Sequence, residues 1–164
     1  MKRAFWPLLN TILFTIIVPG TVAGYIPFRI VGGFSRVTPG ALSLFGGLVL
    51  AVGAGIYFRC AWEFAVRGLG TPAPIAPTKY LITTALHRYV RNPMYIGVAL
   101  VILGEAALFR SPYLVVYAAL MLSIAHIFVV AYEEPALHRQ FGESYDEYRR
   151  TIPRWIPRFR RRAV

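Results

Sequence analysis

The chain has 164 residues, enough for one domain; 57% are hydrophobic and 15% charged, mean hydropathy is +0.54 and the formal net charge is +11. A soluble domain of this size has too little interior to hide that much apolar surface, and the cations fall in clusters between apolar runs, the pattern of a membrane protein facing anionic headgroups rather than of a nucleic-acid binder. Cys60 stands alone, which excludes an internal disulfide, and the sequence has neither zinc-type Cys/His spacing nor a glycine-rich phosphate loop, so no metal site is expected.

The expected fold class is all-α: a polytopic membrane protein with about four transmembrane helices and short cytosolic helices at its C-terminal end. A crossing helix takes roughly 17 to 25 apolar residues, and segments 4–26, 41–62, 93–109 and 112–132 are the candidates, the third being short. The whole chain, 1–164, reads as one membrane-embedded domain: a helix pair over 1–66, a loop over 67–92, and a helical hairpin with a C-terminal cap over 93–164. The first segment has a second reading. Lys2-Arg3, an apolar stretch and Thr21-Val22-Ala23 also resemble a cleavable signal peptide, but the stretch is long for one, which favours a retained helix.

With the N-terminus in the cytosol, Lys2, Arg3, Arg67, Lys79, Arg88, Arg91 and every basic residue after the fourth segment lie inside, while Arg29, Arg36 and Arg110 lie outside. That asymmetry places both termini in the cytosol. Segment 67–92 carries Gly68, Gly70, Pro72, Pro74 and Pro77, so it is expected to be extended or turning, and it is longer than two adjacent helices need. Only a few residues around Ser111-Pro112 join the third and fourth segments, which must form an antiparallel hairpin. Beyond it, 137–141 continues as a short helix ended by Gly142, and Ser144-Tyr145-Asp146-Glu147 reads as a capping box opening another through Arg150. The tail from Pro153 alternates aromatic and basic residues and ends in Arg160, Arg161 and Arg162, suiting either an anionic headgroup layer or a disordered basic end.

The stretch from His87 to Gly97 marks the change from basic loop to apolar helix. Asn92 suits an N-cap and Pro93 the first helical position, leaving the N–H groups of Met94, Tyr95 and Ile96 near Arg91. A helix N-terminus beside a guanidinium attracts anions. The hairpin then returns Glu133 and Glu134 to this level, so both signs of charge converge, as an amino acid moiety would require. The plainer reading is an ion pair between these glutamates and Arg88 or Arg91 at an interfacial rim.

Arg-Tyr-Val-Arg-Asn-Pro-Met-Tyr-Ile-Gly at 88–97, Tyr-Glu-Glu at 132–134 and Phe-Gly-Glu-Ser-Tyr-Asp-Glu-Tyr at 141–148, with a proline-rich basic end, resemble the integral-membrane methyltransferases. That group includes the isoprenylcysteine carboxyl methyltransferases and the phospholipid N-methyltransferases, and the resemblance spans about Gly70 to Pro157. It implies S-adenosylmethionine as donor, bound on the cytosolic side by Lys79, Tyr80, Leu81, Ile82, His87, Arg91, Asn92, Pro93, Met94, Tyr95, Glu133 and Glu134. Arg91, Glu134 and His87 are the residues expected to take part in catalysis. A carboxylate acceptor needs no base, whereas an amine would need His87 or Glu134 to take its proton. Two positions depart from the family pattern. Ala85-Leu86-His87 replaces its Gly-x-Tyr, and Val129 replaces an arginine that helps hold the substrate in the prenylcysteine enzymes.

The implied function is a membrane methyltransferase acting on a lipophilic acceptor drawn from the bilayer, of the isoprenylcysteine carboxyl type. The alternatives are a phospholipid N-methyltransferase and a non-catalytic membrane interaction protein. Elsewhere, His126 lies on the face of Glu133 and reads either as bordering a lipophilic acceptor tunnel or, in the favoured reading, as hydrogen-bonded to a neighbouring helix; Glu105 reads as pairing with Arg110, and Arg59 with Glu63. Gly46, Gly47, Gly53 and Gly55 read as sites of close helix packing, and Cys60 as a small buried residue.

Overall fold

The computed structural model describes residues 2–33, 37–68 and 78–158, and these residues form helices and loops with no strand among them. Gly70, Pro72, Pro74 and Pro77, Arg36, and the tail from Phe159 fall outside them. Helix α1 (Lys2–Gly20) passes through a π-helical turn (Thr21–Tyr25) into α2 (Ile26–Ile30), and α3 is Ala41–Val66. A 3-10 turn (Ala85–Arg88) precedes α4 (Pro93–Leu108). Then α5 (Pro112–Phe128) runs through a second π turn (Val129–Glu133) into α6 (Glu134–Phe141), followed by α7 (Glu143–Thr151).

Among the described residues three stretches are long and apolar enough to cross a membrane, Leu8–Ile30, Ala41–Val66 and Pro112–Phe141. The 16 residues of α4 rise only about 24 Å, less than the roughly 30 Å of a hydrocarbon core. Large apolar side chains such as Ile16, Leu44, Phe58, Val116 and Ile127 point outward, as lipid-facing residues do. The chain is thus an all-α polytopic membrane protein.

Two heptad-spaced glycine pairs set the closest contact. A Cβ on Gly53 would meet the Gly97 carbonyl oxygen and the Val101 nitrogen at 2.7 Å, and one on Gly104 would meet the Leu50 nitrogen at 2.6 Å. Gly46 faces Gly104 in the same way, so α3 and α4 run antiparallel with their backbones in contact. Gly47 and Gly55 have open space instead and play no such part. On the other side α4 packs on α5 around Ile102, Ala106, Leu114, Tyr117 and Ala118, with Val22, Ala23 and Ile26 against them. The first span is tied to the bundle by Thr15 and Tyr57 hydroxyls 2.8 Å apart.

Two local expectations are corrected and a third is extended. Ser144 is not a cap: Gly142 (φ +55) both ends α6 and starts α7, its carbonyl accepting from the N–H groups of Tyr145 and Asp146. Glu105 makes no ion pair with Arg110; its Oε2 is buried without a hydrogen-bond partner. Arg110 lies past the helix end with φ +51, and its guanidinium is turned toward Gly40. Arg59 does bond Glu63, at 2.5 Å, but Arg67 and Thr84 join them, so the buried carboxylate fastens the returning loop to the end of α3.

Candidate active site

Where α4 begins and α5 passes into α6, a partly open cavity of about 30 Å³ is lined by Arg91, Asn92, Val129, Glu133, Glu134, Leu137, Tyr145 and Tyr148. Proline chemistry positions its two acids. Pro135 has no N–H to give to the carbonyl of Ala131, and its ring crowds that carbonyl. The preceding residue compensates: the Glu134 N–H bonds to the carbonyl of Val129, five residues back, which makes the π turn. That extra residue per turn brings both Glu133 and Glu134 to the cavity wall.

The two acids have different partners. Glu134 is buried and held by two cations. Arg91 Nη1 donates to its Oε1 at 2.9 Å, and Arg154 donates from Nε and Nη2 to Oε1 and Oε2 at 2.6 and 3.0 Å. The Arg91 and Glu134 side chains are only 9% and 8% exposed, so this is a buried ion cluster rather than a solvated rim pair. Glu133 makes no ion pair among the described residues; it accepts the Tyr95 hydroxyl at 3.0 Å. Arg91 Nε is buried with no partner, while its Nη1 also reaches the Tyr145 hydroxyl at 3.3 Å.

Residues 152–158 form a strap across the site. The Arg91 N–H bonds to the Pro153 carbonyl at 2.9 Å and the Arg158 N–H to the Tyr89 carbonyl at 3.1 Å. Asn92 is the N-cap by position, but its side chain makes no cap bond; Nδ2 donates to the Arg154 carbonyl at 3.1 Å. The Ile96 N–H is taken by the Asn92 carbonyl, which leaves Met94 and Tyr95 as the first-turn N–H groups without an intrahelical acceptor. Burial raises the Tyr145 and Tyr148 hydroxyls above their ordinary range, with Glu134 adding to the effect on Tyr145, so both stay protonated. Hydrogen bonding to Glu134 raises Arg154 and fixes its charge.

Of the residues the sequence singles out, the cavity brings together Arg91, Asn92, Glu133 and Glu134, with Tyr95 behind Glu133 and Pro93 and Met94 opening α4. Lys79, Tyr80, Leu81, Ile82 and His87 are not among its lining residues. Lys79 and Tyr80 are exposed, and their segment is pinned by Lys79 N–H to the Gly68 carbonyl and by Gln140 Nε2 to the Thr78 carbonyl. The His87 ring is buried edge-on to Phe64 with Nδ1 unpartnered. Burial pushes it down to about 4, against a smaller opposing effect of Glu63. It is therefore neutral, and a weak base.

Arg154, Tyr145, Tyr148 and Leu137 carry no role in the sequence reading. The tyrosines had a signal: they are spaced i to i+3 and are the only large ring side chains in the otherwise polar α7. Arg154 had a fainter one, since Pro153 and Pro157 bracket it and stiffen a segment that reads as tail.

A family model described as phospholipid methyltransferase matches residues 42–144, more than half of the chain. The chain is 32% identical over 77 residues to a protein-S-isoprenylcysteine O-methyltransferase of Schizosaccharomyces pombe, covering 47% of this chain and 33% of that protein. It is 33% identical over 78 residues to a methanethiol S-methyltransferase of Crocosphaera subtropica, covering 46% of this chain and 28% of that protein. The matched stretch is thus a third or less of each relative's length.

Proposed function

The chain belongs to the phospholipid methyltransferase family, and on that premise we propose that it transfers a methyl group from S-adenosylmethionine to a lipophilic acceptor, in the manner of the isoprenylcysteine carboxyl methyltransferases. The observation that carries this reading is the shared cavity wall: Arg91, from the turn that opens α4, and Glu133, from the π turn after α5, line the same small cavity. The residues fit the amino acid end of such a donor. Arg91, with its buried unpartnered Nε, and the N–H groups of Met94 and Tyr95 suit a carboxylate. Glu133, which lacks a cation, suits an ammonium. When bound, the donor supplies a methyl on a positively charged sulfur.

The protein's part is positioning and exclusion of water, which can supply roughly 7 to 11 kcal/mol. Around 30 Å³ is room for a water rather than a nucleoside, so donor binding on this reading displaces part of the strap. Glu134 is neutralised by Arg91 and Arg154 and serves to hold Arg91 in place. A carboxylate acceptor reacts without a base. The second reading, a phospholipid amine, is favoured by the family's description and by Glu133, the one cavity carboxylate free to take a proton. On the positive-inside pattern the site faces the cytosol. Arg59, Arg67, Lys79, Arg88, Arg149, Arg150 and Arg158 surround this end, against Arg29 and Arg110 at the other among the described residues, and meet anionic headgroups there.

The test is a thermal shift with S-adenosylhomocysteine, which should stabilise the purified protein and fail to stabilise Glu133→Ala. Labelled methyl from the donor should then appear in N-acetyl-S-farnesylcysteine, or in a methylated phospholipid from a total lipid extract if the second reading holds. A folded protein that neither shifts nor transfers methyl is a non-catalytic interaction protein.

A further inference from the structure

Trp155 lies between the exposed face of α5 and the side chains behind the cavity wall. It is half-buried and belongs to the strap rather than to a helix. Its indole N–H donates to His126 Nδ1 at 2.9 Å, and the two ring centres are 6.0 Å apart. His126 is exposed on α5, within a membrane-crossing stretch. Trp155 also lies 6.3 Å from Tyr95, ring centre to ring centre and nearly edge-on. Tyr95 in turn holds Glu133, and Val129, one turn beyond His126, lines the cavity. The contacts therefore run in order from lipid to cavity: His126, Trp155, Tyr95, Glu133.

The strap's backbone is pinned on both sides of this residue, at Pro153 and at Arg158, and the Arg154 side chain is locked on Glu134. The Trp155 side chain itself has one polar tether, the bond to His126. Its indole can turn while the backbone stays fixed. An indole N–H set against hydrocarbon has no water to bond and needs an acceptor, and Nδ1 can accept only while the imidazole is neutral with its proton on Nε2.

We propose that Trp155, latched by His126, is a specificity-determining residue that closes the bilayer side of the cavity and sets the bulk of the acceptor admitted there. The inference rests on the reading that a lipophilic acceptor is methylated in this cavity. One hydrogen bond between neutral groups is weak enough for an arriving chain to displace, while the indole excludes lipid in its absence. The methylated position must then sit at the end of a slender chain, because a bulky one would meet Trp155, Tyr95 and His126 together.

Reactivity of a thiol in the cavity tests the gate without knowledge of the acceptor. In nanodiscs, Glu133→Cys on a Cys60→Ala background is treated with N-dodecylmaleimide, which arrives from lipid, and separately with a sulfonated maleimide, which arrives from water. Adding Trp155→Ala should raise the rate with the dodecyl reagent about tenfold, the factor that one lost hydrogen bond and its ring allow. His126→Ala and Trp155→Phe, which break the latch but keep a ring at 155, should give smaller rises. The sulfonated reagent's rate should stay unchanged in all three. Equal dodecyl rates throughout, or a parallel rise with both reagents, overturns the proposal, the latter because the strap has simply loosened. S-adenosylhomocysteine binding by the Trp155→Phe protein, with Glu133 and Cys60 intact, is expected to match wild type. Its absence from the wild type as well would sink the methyltransferase reading and leave the labelling result to stand by itself.

Discussion

The molecule contains the same backbone device twice. At Thr21–Tyr25 the Ile26 N–H reaches the Thr21 carbonyl, just before Pro27; at Val129–Glu133 the Glu134 N–H reaches the Val129 carbonyl, just before Pro135. In both, a proline deprives the carbonyl four residues back, of Ala23 and of Ala131, of its donor, and the helix widens to a π turn. The first turn kinks at Ala23 and packs into the apolar core, where the Tyr117 hydroxyl donates to the Val22 carbonyl at 2.8 Å. The second delivers two carboxylates to a cavity containing Arg91. A proline-driven π turn is thus a way to re-aim side chains, and its use depends on which side chains follow and what meets them.

The sharpest way to break this contrast is to remove the charge. Glu134→Ala leaves Arg91 and Arg154 without their anion, and should lower unfolding free energy in detergent by about 3–5 kcal/mol. A loss below about 1 kcal/mol would mean that the cluster is solvated after all.

Acid should act on the same end. The folded His87 titrates near 4, below its ordinary value of 6.5, so between those values the unfolded chain binds a proton that the folded chain refuses. The contribution is complete above pH 6.5 and is lost as pH falls toward 4, at most about 3 kcal/mol. Hydrogen exchange should therefore accelerate around 85–92 before it does around 21–30, where no histidine lies. His87→Phe should flatten that pH dependence.

Pro135→Ala lets Ala131 regain a donor and the helix return toward a regular α turn, rotating Glu133 away from Arg91. Methyl transfer should fall about a hundredfold, the penalty typical of a misplacement of about 1 Å. Pro27→Ala at the first turn should leave transfer unchanged. Equal effects would show that both turns act only through stability.

Two tyrosines give the smallest and most selective test. Tyr117→Phe should cost about 1 kcal/mol by stranding the Val22 carbonyl, with activity intact. Tyr95→Phe removes the hydroxyl that donates to Glu133 and should depress transfer more than stability. The reverse pattern would move the functional centre to the wrong end of the molecule.

Several of these features could be read from the residues. Asn92-Pro93 opens α4 as read, Gly142 ends α6, and the short link at Ser111 forces the hairpin that returns Glu133 and Glu134 to Arg91. Gly46 and Gly53 could be seen as packing sites, but their partners Gly97 and Gly104 could not, because the match depends on the register of two helices. Glu105 shows the same limit from the other side. Its spacing to Arg110 suggests a pair, and the left-handed corner at Arg110 turns the guanidinium away.

What the sequence alone determined is local. Long apolar runs must be helices in lipid because every N–H and C=O there needs a partner, and proline and glycine mark where such helices start, widen and stop. What tertiary structure decided is the division of labour between two adjacent glutamates that no sequence rule separates. Arg154, reaching Glu134 from a strap that crosses the site, neutralises one carboxylate and leaves Glu133 without a counter-ion among the described residues. The physical reason is that a buried charge takes its character from whichever opposite charge is desolvated with it, and that partner is chosen by packing rather than by proximity along the chain.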